Sequence, residues 1–501
     1  MKKRLLLLLM SLGMCMFISS RAEAAGNDTE VVATAEVISG GDLLISDHVL
    51  AGAKTDSGSY DFNYIFQYVD DYIKEADYAV VNLETSIAGK EKGYCGFPRF
   101  NTPESIVTAA QNAGFDMFLT ASNHSYDWDL SGLKNKVSAL QKRDADYIGT
   151  RKDTDDYFHR VIDVNGIKIG MLNYTQVIKK STKEKVYLNA TSTGENGSYE
   201  YVYVGPKGKE RIAYYNKKYL SDFYSTLKKD IKSLKNRGAQ IIVAYPHWGQ
   251  EYNIGYNSTE DKIAQKMCDL GVDVIIGGHP HVVEPVKVYT SKVSGKTTVC
   301  IHSTGNFVSS MRRTQDKNNA DYVEDGALFK YVVKEYDDGT VAVTSAEVLP
   351  IWIKKAENAY KYTVIPLDKD VDWKESFGVA NYSDNISSGY QSYERTMELV
   401  SKGIKKFNGM AKITKHPTAK SAKTGKKVKF KVEAVGNDIK YQWQFSSDGG
   451  ETWTNSTGAG NKTNTLTVTT KKNYNGKLYR CKVKTSAGTV YSKKAKLTIK
   501  Q

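Results

Sequence analysis

Short apolar runs that stop abruptly at polar residues recur through the first 350 positions, and stretches of helical period separate them. Residues 30–45 are β-branched and apolar, interrupted by Ser39-Gly40-Gly41-Asp42, which leaves Asp42 at a strand end. Phe62, Ile65, Phe66, Val69 and Ile73 then fall at helical spacing, and a strand over 78–81 runs into Asn82-Leu83-Glu84-Thr85. A helix is expected over 103–113, with Pro103 as its start signal. The strand after it, 115–120, ends in Ala121-Ser122-Asn123-His124, with Asp127 and Asp129 close behind. An amphipathic helix at 130–142 and strands at 147–149 and 167–172 continue the rhythm.

Residues 179–216 break it: they are polar, and the alternation Tyr201-Val202-Tyr203-Val204 predicts an inserted β-hairpin, either a flap over a site or a surface excursion. Beyond it come a helix over 221–236, a strand over 240–244 leading to His247-Trp248-Gly249-Gln250-Glu251-Tyr252, and a helix over 260–270. Val272, Val274, Ile275 and Ile276 form the next apolar run, closed by Gly277-Gly278 and followed by His279-Pro280-His281. A strand over 298–302 precedes Ser303-Thr304-Gly305-Asn306-Phe307, and 326–334 with 340–349 read as an antiparallel pair. This alternation predicts an α/β domain with largely parallel strands over 25–350. Residues 351–410 hold one clear helix, 390–407, and are expected to pack on that domain. From 411 to 501 short alternating strands replace helices, with Trp443 and Tyr479-Arg480-Cys481 as core markers; a small immunoglobulin-like sandwich is expected, lacking a partner cysteine near Val432.

Charge sharpens this division. Residues 411–501 carry 20 Lys and Arg against 4 Asp and Glu, a net +16, whereas the whole chain is +14. Basicity therefore belongs to the tail, where it suits attraction to an anionic extracellular polymer, and the acidic remainder argues against nucleic acid as partner. Lys2, Lys3 and Arg4 ahead of the apolar run 5–18, with Ala22-Glu23-Ala24 after it, read as a signal peptide over 1–24 and a secreted protein, an uncleaved anchor being the alternative. Cys95, Cys268, Cys300 and Cys481 are too scattered for a disulfide framework.

Seven polar residues thus stand at strand ends of one α/β domain: Asp42, Glu84, Asn123, His124, His247, His279 and His281. Singly each has an ordinary explanation as a turn former, cap or loop histidine. Together they offer carboxylate, amide and imidazole groups at one sheet edge, a donor set suited to Mn, Fe or Zn.

In order, Gly41-Asp42, Asn82-Leu83-Glu84, Asn123-His124, His247-Trp248-Gly249 with Glu251-Tyr252, Gly278-His279-Pro280-His281 and Ser303-Thr304-Gly305-Asn306-Phe307 resemble the motifs of the CapA family of poly-gamma-glutamate capsule biosynthesis proteins. That family is similar in turn to calcineurin-like metallophosphoesterases. The resemblance implies a four-layer α/β/β/α sandwich and a site for one or two divalent ions. It implies Asp42 and His281 at a first metal, Glu84 bridging, Asn123, His247 and His279 at a second, and His124 as general acid. Glu251 and Asn306 are expected to bind substrate, and a capsule-synthesis membrane complex is an expected partner. The phosphoesterase first motif, Asp-x-His, is broken here: Leu43-Leu44 follow Asp42, and His48 lies beyond that spacing. A Glu also stands where that pattern has Asp. A non-catalytic polymer-binding tether is the competing reading.

Overall fold

The computed structural model describes residues 29–193, 198–312, 322–356, 359–378 and 389–500; the expected signal peptide lies outside them. In chain order the first region contains β1 (Val31–Leu43), α1 (Asp47–Ala53), α2 (Asp70–Lys74), β2 (Tyr78–Asn82), α3 (Ser105–Asn112), β3 (Met117–Leu119), α4 (Asp129–Gln141), β4 (Asp146–Ile148), β5 (Arg160–Val164) and β6 (Ile167–Gln176). There follow β7 (Val186–Thr193), β8 (Ser198–Val204), α5 (Pro206–Lys209), β9 (Tyr214–Tyr215), α6 (Leu220–Asn236), β10 (Ile241–His247), α7 (Ser258–Leu270), β11 (Val274–Ile276), β12 (Val286–Thr290), β13 (Thr297–Ile301) and β14 (Asn306–Val308). The region closes with β15 (Asp325–Tyr336), β16 (Val341–Lys355), β17 (Tyr362–Pro366), α8 (Trp373–Phe377) and α9 (Gly389–Gly409).

These strands make two mixed sheets, the first parallel from β1 to β4 and the second parallel at its centre. One runs β17-β16-β15-β1-β2-β3-β4, with β14 also parallel to β1; the other runs β12-β13-β11-β10-β6-β5, with β9 beside β6. Alternate side chains explain the stacking. Val37, Val80 and Met117 of the first sheet share a buried cluster with Ile169, Val243 and Val274 of the second, so the sheets face each other. Opposite faces carry helices: Ile38, Val81 and Phe118 pack with residues of α1 to α4, whereas Leu172, Ile242 and Ile275 pack with α6 and α7. Burial of these faces supplies the main stabilisation, at about 25 cal/mol per Å² of apolar surface.

Three sequence expectations shift. The stretch 30–45 is one strand, with a register irregularity between Ser39 and Asp42 instead of a break. The periodic stretch 60–76 is interrupted: a 3₁₀ turn (Asn63–Ile65) precedes the five-residue α2, and Val69 only caps it. Apolar spacing reports which residues are buried, and Phe62, Ile65, Phe66 and Val69 are buried without a continuous helix to carry them. Finally β16 crosses position 350 without a break, β17 adds a further strand, and α9 lies against β16. A bidentate pair, Arg395 Nε and Nη2 to the buried Asp325 at 2.6 and 2.7 Å, fixes α9 to β15.

The insertion is indeed an antiparallel hairpin of β7 and β8. The C-terminal region is all β: β18 (Lys412–Lys415), β19 (Lys420–Lys423), β20 (Lys427–Lys431), β21 (Glu433–Val435), β22 (Lys440–Ser446), β23 (Thr454–Asn455), β24 (Thr465–Thr469), β25 (Leu478–Lys484), β26 (Thr489–Tyr491) and β27 (Ala495–Lys500). Trp443 and Cys481 face each other across β22 and β25, both fully buried, and Val432 is buried where a bonding cysteine would stand; Cys481 is free. No helix among the described residues is long and apolar enough to cross a membrane.

A buried carboxylate and histidine centre at the strand ends

The strand ends of both sheets bring the sequence-predicted residues to one place. Asp42 ends β1, Asn82 ends β2, Asn123 and His124 form the turn after β3, His247 ends β10, and His279 and His281 follow β11. Glycines make the approach possible. A side chain at Gly41 would collide with the Gly305 carbonyl, and one at Gly277 with that of His302. At Gly278 a Cβ would stand 2.8 Å from Asp42 Oδ1. Beyond this crossing, His279 and His281 hold φ of +95° and +59°, left-handed conformations that non-glycine residues adopt at a cost of order 1–3 kcal/mol.

Asp42 is fully buried and richly paired. Its Oδ1 accepts from Asn82 Nδ2 at 2.7 Å, and its Oδ2 accepts from the His279 backbone N–H at 3.1 Å and lies 3.5 Å from His281 Nδ1. Burial alone would raise its pKa, but the His281 hydrogen bond, the His247 charge and Asn82 hold it well below the carboxylate range. His281 moves the other way. Burial works against its charge, yet the Glu84 and Asp42 carboxylates push it up to about 10. Burial and the neighbouring histidines hold His279 well below the ordinary value.

Glu84 is the residue that asks for a ligand. It is fully buried, and neither carboxylate oxygen has a hydrogen-bond partner, although Oε1 lies 3.2 Å from His247 Nε2. His279 Nδ1 is likewise buried and unpartnered. A bare carboxylate in that position would be strongly destabilising unless a cation balances it. Ligand atoms of Glu84, His247 and His279 lie within 4.8 Å of one another, and so do those of Asp42, Glu84 and His281. Both groups share Glu84. Asn123 Oδ1 joins the first, 2.9 Å from His247 Nε2. The donor chemistry and the orphaned oxygens fit a divalent metal.

His124 sits beside this centre. Its Nδ1 meets Asp127 Oδ2 at 2.7 Å, leaving Nε2 as the nitrogen available for a substrate. Burial lowers its pKa, but the charge and hydrogen bond of Asp127, with Glu84 adding to them, raise it overall. Asp127 is fixed by the Phe100 N–H at 3.0 Å and by Asn189 Nδ2 at 2.9 Å, and Phe100 meets the imidazole edge to face at 4.5 Å. Asn189 belongs to β7, so the inserted hairpin supports the His124 pair. The N-capping Ser122 accepts from the His124 N–H and sets the turn.

Glu251 is exposed and close enough to His281 to contribute to its raised pKa. Asn306 is fully buried: Oδ1 accepts from His281 Nδ1 at 3.0 Å, and Nδ2 donates to the His281 carbonyl at 3.2 Å. This is the placement of a residue that orients His281. His48 is exposed on α1, stacked on Tyr360 at 4.3 Å, and takes no part. Sequence reasoning left Asn82 without a role, and Asp127 and Asn189 too. A signal for Asp127 existed in its i+3 spacing from His124; Asn189 carried none.

The profile of the bacterial capsule synthesis protein family PGA_cap matches residues 36–311. A capsule biosynthesis protein CapA of Bacillus anthracis is 28% identical over 339 residues, 66% of this chain and 70% of that protein. The PGA biosynthesis protein CapA of Bacillus subtilis (strain 168) is 27% identical over 338 residues, 66% of this chain and 78% of that one. Among solved structures, the tandem Ig repeats of Dlar match at 13% identity, covering 35% of this chain and 90% of that chain; the TM-score of 0.16 leaves the C-terminal fold to rest on its own strands. With the profile spanning more than half its length, the chain belongs to the PGA_cap family of bacterial capsule synthesis proteins.

Proposed function

We propose that this protein is a secreted, metal-dependent hydrolase or transferase of the metallophosphoesterase type, acting on an anionic extracellular polymer such as poly-gamma-glutamate during its synthesis or processing. The observation that carries it is Glu84, a fully buried carboxylate with both oxygens unpartnered, shared between two groups of possible ligands. The helix–sheet–sheet–helix stacking supports the metallophosphoesterase reading, and the capsule-related names of both CapA relatives support the pathway.

Asp42, Glu84 and His281 would hold one ion, and Glu84, His247, His279 and Asn123 another, with Mn, Fe or Zn best suited to the donors. When bound, such ions supply Lewis acidity and neutralise charge developing on a phosphoryl or acyl centre. The chain's own residues do the rest. Asn82 and Asn306 keep Asp42 and His281 oriented. Asp127 holds Nδ1 of His124, so that the protonated imidazole donates from Nε2 to the leaving group.

The test is metal content by mass spectrometry together with hydrolysis of phosphodiester and gamma-glutamyl substrates, for the parent and for His247→Ala/His279→Ala. The parent is expected to hold one or two ions and the variant to lose them along with turnover. Absence of transition metal in the parent, with every function intact in the variant, would sink the enzymatic reading. A non-catalytic polymer tether is favoured by a single observation, that no histidine takes the place the phosphoesterase first motif reserves after Asp42. Full metal loading without any turnover would favour it.

A further inference from the structure

Where α9 hands over to the C-terminal strands, a cleft of about 690 Å³ opens between the two regions. One wall is the β12–β13 loop with the β15–β16 turn; the other is β18 with the segment 490–494. The floor is apolar, formed in part by Val341, Val343, Ile413 and Val490. Four lysines line it, Lys296, Lys412, Lys493 and Lys494, against Asp273 as the lining acid. Asp273 is buried and paired with Lys296. Lys412 Nζ donates to the Phe407 carbonyl at 2.9 Å. Lys493 and Lys494 are exposed and have no ion-pair partner among the described residues.

The walls are built to stay in register. The Lys493 backbone N–H donates to His416 Nδ1 at 3.1 Å, Thr485 Oγ1 donates to the Gly409 carbonyl at 2.8 Å, and Gly295 packs against the Tyr491 ring. From Tyr491 the lining passes onto an outer face where Arg480 lies 4.3 Å from that ring and 4.0 Å from the ring of Trp453. A cavity of this size is within the range of ligand sites, about 300–1,000 Å³.

We propose that this cleft binds a segment of a polycarboxylate chain, seating its methylene and amide backbone on the apolar floor and its carboxylates on Lys493 and Lys494. The apolar floor favours a polycarboxylate chain over a polyphosphate. Lysines are point charges that accept either anion, but only a chain with methylene groups between its charges gains from covering Val341, Val343, Ile413 and Val490. The site rests on the polymer reading given above and adds to it a place of capture apart from Glu84, whose two anchoring lysines, Lys493 and Lys494, lie beyond the family match at 36–311.

Binding of length-fractionated gamma-linked polyglutamate to the full chain, measured by calorimetry at low salt, tests it, with dextran and an anionic polyphosphate as comparison probes. Lys493→Glu/Lys494→Glu is expected to weaken polyglutamate binding at least tenfold. Lys427→Glu/Lys429→Glu, the same charge change on β20 away from the cleft, is expected to change it less than threefold. All four lysines are exposed, and matched Tm values check that both variants fold. Equal loss in the two variants, no loss in either, or tighter binding of polyphosphate than of polyglutamate overturns the cleft while leaving the polymer reading standing. An intact chain that binds no polymer removes both.

Discussion

Asn123 Oδ1 and His247 Nε2 lie 2.9 Å apart, although one follows a strand of the first sheet and the other ends a strand of the second. The centre is therefore a junction between sheets, and its ligands can converge only if the whole sandwich is assembled. That dependence makes its charges measurable through stability as well as through activity.

Glu84→Gln removes a buried carboxylate charge whose oxygens lack hydrogen-bond partners. With chelator present, the variant is expected to unfold at a higher temperature than the parent, by a few degrees, since each kcal/mol moves Tm by about 2–4 °C in a domain of this size. With Mn or Zn added the order should reverse, because only the parent gains from binding. Scanning calorimetry with and without metal reads both.

Asp127→Asn leaves the proposed metal ligands in place and alters the proposed proton donor, His124. A fall in turnover of order 10²-fold is expected, with metal content unchanged. Asp127 raises the His124 pKa, so its loss should move the alkaline limb of the pH–rate profile to lower pH. The same pair contributes stability that is fully present below the unfolded histidine value, about 6.5, and is lost as pH rises through the raised folded value.

Glu260 and Glu284 are buried side by side, with Glu260 Oε1 and both Glu284 oxygens lacking hydrogen-bond partners. Burial raises both pKa values, and for Glu284 the charge of Glu260 adds to it. The sign follows: their contribution is complete below the unfolded carboxyl value, about 4.3, and declines as pH rises through the folded ones. Glu284→Gln should flatten the loss of Tm between about pH 5 and 8.

Arg395→Met strands Asp325, which is buried and whose pKa burial raises to about 6 even with its arginine partner in place. A loss of about 3–5 kcal/mol is expected from urea unfolding at pH 7.5. Pairing it with Asp325→Asn should recover part of that loss. Independent, additive effects would show that α9 is held by other contacts.

The strand-end residues were legible because apolar runs in a parallel sheet give way to polar site residues at their C-terminal ends, and Asp42, Asn123, His247 and His279 all follow such runs. Asn82 was not. It reads as the last strand residue, and nothing in its spacing announces an amide reaching both Asp42 and, at 3.3 Å, His247 Nδ1. Asn189 stands 65 positions from His124, on an insertion whose docking depends on tertiary packing alone. Helix 60–76 failed for a related reason: burial of Phe62, Ile65, Phe66 and Val69 needs a compact turn, which satisfies the same pattern with fewer helical residues.

Gly41 and Gly277 each press against a backbone carbonyl that no rotamer change can move aside. Ligands can be exchanged one for another, and a descendant that gave up its chemistry could replace Glu84 or His279 at little structural penalty. The two glycines offer no such freedom. Among distant relatives, shared glycines at these positions should trace ancestry of the scaffold, and shared acids and histidines should trace retention of the reaction, so that the two kinds of likeness are free to part company.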